Sequence, residues 1–158
     1  KHEADLEKAR KSVAKRMADL YGQITSCREA VDLKSFRAEL ACLEKYYQLC
    51  KEEFHLTRDL SESMEHIGKE IESYRHIYEH LVILQQLLAE HRQLLVEADL
   101  ERSDSVEAGT RNAEQQYRIE IVYEYHADWI YAELQKMGLP LPIKERGRFQ
   151  TKAELKMS

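Results

Sequence analysis

Between Leu33 and about Leu100, apolar residues return every three or four positions, through Phe36, Leu40, Leu43, Tyr47, Cys50, Phe54 and on to Met64, Ile67, Ile71, Tyr74, Tyr78 and Leu81. Spacing of this kind is the mark of a helix that buries one stripe. The stretch holds no Pro and a single Gly, Gly68. Asp59-Leu60-Ser61-Glu62 resembles a capping box, which would start a new helix there. The apolar stripe nevertheless slides past this point without a jump, as it does when a straight helix is set against a strict seven-residue repeat. The pattern therefore predicts one unbroken helix over 33–100, about 100 Å long. A break near residue 60 would instead allow a compact four-helix bundle.

The flanks read as two further helices. Leu6, Val13, Met17, Leu20, Ile24, Cys27 and Val31 keep a heptad register that predicts a helix over about 4–31, with Arg10 the one charged residue on its seam. The register breaks at Val31-Asp32-Leu33, where Asp32 is suited to cap the next helix after a tight reversal. Glu101-Arg102-Ser103-Asp104-Ser105 reads as a loop, with Asp104 and Glu107 placed as a capping pair for a last helix over about 105–137. Gly138-Leu139-Pro140 should end that helix, with Gly in the left-handed position and Pro just beyond. Lys144, Arg146, Arg148, Lys152 and Lys156 make the remainder basic.

The expected fold is all-α: an elongated antiparallel helical bundle or coiled coil built on one very long central helix. Residues 1–138 form the bundle and 139–158 an extended basic C-terminal tail. With one short helix folded back on each half of the long one, each half would be a helix pair too thin to bury its apolar rows. A homodimer would complete it.

Composition supports the helical reading. Charged residues make up 34% of the 158, hydrophobic residues 43%, and Gly and Pro are few. The net charge of −5 argues against a nucleic-acid binder, which carries a basic stripe. Cys27, Cys42 and Cys50 lack metal-ligand spacing and read as reduced thiols of a cytoplasmic protein. No apolar run is long enough to cross a membrane. The charged opening, Lys1-His2-Glu3-Ala4-Asp5, lacks signal-peptide character and an initiator Met, so the chain is expected to be a piece of a longer one.

Chemistry is sparse. His76 and His80 stand four apart and could supply half a metal site, and Glu52-x-x-His55 matches one arm of a di-iron motif, but neither has its complement. No nucleophile motif or Gly-rich phosphate loop is present. The expectation is no catalytic residues, no cofactor and no metal. The segment 117–134 differs from the rest because it is apolar on two sides. One row is Tyr117, Ile121, Tyr125, Trp129 and Ala132; the other is Ile119, Tyr123, His126, Ile130 and Leu134. A helix apolar on two sides needs cover on both. Tyr117, Ile121, Tyr125 and Trp129 are accordingly the candidate interface, with a core role as the competing reading for Trp129. The expected function is a non-enzymatic coiled-coil interaction or scaffold module that binds a protein partner or a second copy of itself. The alternative is a crescent-type helical dimer attached to a membrane surface.

Overall fold

A computed structural model describes residues 3–27, 30–54, 58–100 and 106–139. Every element among them is helical: α1 Glu3–Cys27, α2 Leu33–Phe54, α3 Arg58–Leu100 and α4 Val106–Lys136.

The 33–100 stretch is two helices, which overturns the single-helix expectation. Phe36 of α2 lies against Tyr78 of α3, with ring centroids 5.9 Å apart. Arg75 Nε of α3 stands 3.3 Å from Glu44 Oε1 of α2. In an unbroken helix Phe36 and Tyr78 would be about 63 Å apart. Helices α2 and α3 therefore lie side by side and antiparallel. The physical reason is burial. Folding back lets Phe36, Leu40 and Leu43 of α2 share one core with Ile71, Tyr74, Ile77 and Leu81 of α3. A straight rod would expose one side of both rows. The sliding stripe was the trace of two helices, not of supercoil drift. At 43 residues α3 is still the longest element, about 64 Å.

The other ends follow local chemistry. Asp32 caps α2, its Oδ1 accepting from Ser35 N at 3.1 Å. Helix α1 ends at Cys27, a turn before the expected limit. Gly138 sits at φ 70. Its N–H bonds Gln135 O at 3.0 Å, and Leu139 N–H bonds Leu134 O at 3.3 Å. This pair of bonds is a Schellman stop, and Leu139 completes it by packing on the core. The caps proposed at Asp104 and the tail from residue 140 onward fall outside the described residues.

Cross-helix pairs give the topology. Helices α1 and α3 run in the same direction, since Arg10 meets Glu70 and Val31 meets Gln85. Helix α4 runs against α3, with His80 beside His126 and His91 beside Glu120. The arrangement is up-down-up-down. The α1–α2 hairpin covers the first half of α3, so that half is not the thin pair expected from sequence. The second half of α3 pairs with α4, as His91 and Glu120 show. That outer hairpin is held by polar contacts, including Asn112 Nδ2 to Leu94 O at 3.0 Å.

Candidate interaction face on the last helix

The two rows read from 117–134 part company in the fold. Tyr123, Ile130 and Leu134 of the second row are fully buried against α1 and α3, with Ala127 beside them. Tyr21 of α1 reaches over this row and donates from its hydroxyl to Ala127 O at 3.1 Å.

The first row points outward. Tyr117 is 64% exposed, Ile121 51% and Tyr125 67%, and Val122 beside them is 42% exposed. They are successive at four-residue spacing, so they form one strip along α4. Trp129, next in the row, behaves differently. It is half-buried and packed on the core. Its ring stacks on His80 of α3, centroids 4.0 Å apart and planes 27° from parallel. Of the four sequence-predicted interface residues, three therefore stand on one solvent-facing strip and the fourth closes the α3–α4 seam.

Charges around the strip are mixed. Arg118 is exposed, Glu114 is exposed, and Glu120 and Glu124 are half-buried. An open groove of about 450 Å³ runs beside Arg118 between α3 and α4, lined by Glu90, Gln93, Leu94, Gln115, Arg118 and Ile119.

No family model matches the chain, and no curated protein or solved structure matches it either.

Behind the strip lies a histidine pair that sequence reasoning did not connect. His80 Nδ1 and His126 Nδ1 are 2.8 Å apart. One ring must donate and the other accept. Burial is the largest influence on His80, followed by His126, and together they hold its pKa below the ordinary value; Glu79 pulls the other way. His76 turns instead toward Glu79, at 3.7 Å. Single-helix spacing showed His76 and His80 as the pair; the true partner is across the bundle, where only the α3–α4 register could place it. Among the described residues of the outer hairpin His91 is the one buried polar side chain, 4% exposed, with its Nε2 3.2 Å from Glu120 Oε1.

Among the described residues no group of three or more His, Cys, Asp or Glu converges as a metal cage. His55, half of the Glu52-x-x-His55 motif, lies outside the described residues. Cys42 is exposed and Cys50 buried, both as free thiols. No described helix is long and apolar enough to cross a membrane.

Proposed function

We propose that this chain is a non-enzymatic helical interaction module that self-associates through the outward strip of α4. The observation that carries this reading is the alignment of Tyr117, Ile121 and Tyr125 in solvent. Exposed apolar residues scattered singly need no explanation, whereas a contiguous strip marks a contact surface. Two tyrosines flanking an isoleucine also suit an interface, because aromatic side chains bury large areas at small entropic cost. A membrane surface is the poorer fit. Glu114, Glu120 and Glu124 around the strip outnumber Arg118, and anionic lipid would repel them.

Light scattering on a concentration series tests the reading. The wild-type mass should rise toward that of a dimer. Tyr117→Ser, Ile121→Ser and Tyr125→Ser combined should hold the protein monomeric without loss of helicity. A wild-type mass that stays at the monomer value at every concentration would contradict it.

A further inference from the structure

We propose that His80 and His126 are a two-histidine site for a divalent transition-metal ion of square-planar or octahedral preference, Cu2+ or Ni2+, held between α3 and α4. The site is independent of the self-association reading above. It rests on the contact of the two rings, whose Nδ1 atoms stand 2.8 Å apart. Neutral imidazole nitrogen is a ligand for such ions, and a place where two of these nitrogens share one proton is a place where both can hold one cation.

Distance selects the ion. At a metal–nitrogen bond of about 2.0–2.1 Å, two nitrogens 2.8 Å apart subtend about 85–90° at the metal. That is the angle between neighbouring positions of a square plane or an octahedron, the arrangements taken by Cu2+ and Ni2+. A tetrahedral zinc site would hold the nitrogens about 3.3 Å apart. Ring centroids 4.9 Å apart show that the two nitrogens point nearly at each other in the metal-free pair. Taking up the ion requires each ring to tilt until both nitrogens address one point beside the line that joins them. The χ2 torsion of His is broad, so the tilt costs little. The ring that donates in the metal-free pair moves its proton from Nδ1 to Nε2, and the neutral pair releases no net proton.

The surroundings suit an exchangeable ion. Both histidines are half-buried, and among the described residues no third His, Cys, Asp or Glu completes a ligand set, so water takes the remaining positions. Burial and then His126 hold the His80 pKa below its ordinary value, with Glu79 opposing them and His76 adding to them, which keeps His80 in the ligating neutral form at pH 7.5. Helical spacing offers a rival pair, because His76 and His80 stand four apart on one face of α3. In the fold His76 faces Glu79 at 3.7 Å, whereas His126 already meets His80.

Cu2+ titration of the full chain at pH 7.5 tests the site through the emission of Trp129, the only Trp, whose ring stacks on His80 at 4.0 Å. Cu2+ should quench this emission in a saturable step, and Zn2+ should compete poorly. His126→Gln and His80→Gln should each remove the step, with circular dichroism as the check of folding, and His76→Gln should leave it unchanged. Electron paramagnetic resonance of the Cu2+ complex should show a tetragonal centre with two imidazole nitrogens in its plane, in the wild type and in His76→Gln alike. A step that survives His126→Gln and disappears in His76→Gln would assign the ion to the single-helix pair and overturn the proposal. The absence of a saturable step in the wild type, or Zn2+ binding more tightly than Cu2+, would overturn it as well. None of these results bears on whether the chain self-associates.

Discussion

His80 on α3 and His126 on α4 face each other through their Nδ1 atoms at 2.8 Å, with Trp129 stacked on the outer face of His80. Folding thus brings two imidazoles into a contact that tolerates at most one shared proton. His80 takes its proton less readily in the folded chain than at its ordinary value of 6.5, first because of burial and then because of His126. The unfolded chain binds that proton near 6.5. Stability from this site is therefore full above pH 6.5 and is lost as the pH falls through the lower, folded value. Urea midpoints should drop between pH 7 and pH 5. His126→Gln should make the fall shallower without abolishing it, since burial remains. Trp129 is the only Trp, so its emission offers a direct readout: a protonated imidazole stacked on it should quench it, with a midpoint below 6.5. A midpoint above 6.5 would mean that folding makes His80 easier to protonate, opposite to the effect of its burial.

Gly68 supplies a second test, of the α2–α3 hairpin. A Cβ at this position would stand 3.1 Å from Tyr47 Cζ and closer still to the hydroxyl. Lys51 Nζ lies 5.4 Å from the centroid of the same ring and borders it elsewhere. Gly109 on α4 has nothing within 4 Å of its Cβ position. Gly109→Ala should stabilise by about 0.5–1 kcal/mol from helix propensity alone. Gly68→Ala should gain less or lose, because Tyr47 must move. In a Tyr47→Ala background the full gain should return. Equal effects of Gly68→Ala in both backgrounds, by thermal denaturation, would deny the contact.

Arg10 was the one charged residue on the apolar seam of α1. The fold gives it a partner: Nε donates to Glu70 Oε2 at 2.9 Å, and its second terminal nitrogen reaches the same oxygen. Tyr74 donates to the other carboxylate oxygen, and Glu7 binds Arg10 at 2.7 Å. Burial disfavours the Arg10 charge, but bonding and attraction from Glu70 outweigh it and raise the pKa. Glu70→Leu should cost about 1–3 kcal/mol, because it leaves the half-buried Arg10 with only Glu7 and the Tyr74 hydroxyl without its acceptor. Arg10→Leu with Glu70→Leu should cost less than Glu70→Leu alone. A strictly additive cycle by urea denaturation would show that the network carries no coupling.

Helix content and faces were legible from sequence because period and chemistry agree there. Leu6, Val13, Met17, Leu20 and Ile24 are all buried as the heptad register required, and the Gly138 stop formed as read. The division between α2 and α3 left one signal, the Asp59–Glu62 capping pattern, but no Gly or Pro stands after Phe54, and the apolar stripes of the two helices happen to run on nearly in phase. Pairings such as Arg10 with Glu70 or His80 with His126 depend on how helices slide past one another. Spacing within one helix carries no information on that. For the candidate face, the two-row pattern of 117–134 located an outward strip, but it could not tell that Trp129 turns inward to His80.

Trp129→Ala should accordingly lower stability more than it lowers association. A half-buried indole contributes about 2 kcal/mol or more by packing, and its loss also uncovers His80. Chemical denaturation on Trp129→Ala should show this loss at every protein concentration. A dimer constant weakened as far as in Ile121→Ser, with unchanged unfolding, would place Trp129 on the contact surface instead.

Sedimentation equilibrium of the wild type beside Ile121→Glu tests self-association through the outward strip of α4. Ile121 is exposed and at the centre of the strip, so a carboxylate there leaves the chain folded and places a charge in the proposed contact. The wild type should fit a monomer–dimer equilibrium, and Ile121→Glu should remain monomeric with the same circular dichroism. Identical association of the two proteins would contradict a contact through this face of α4.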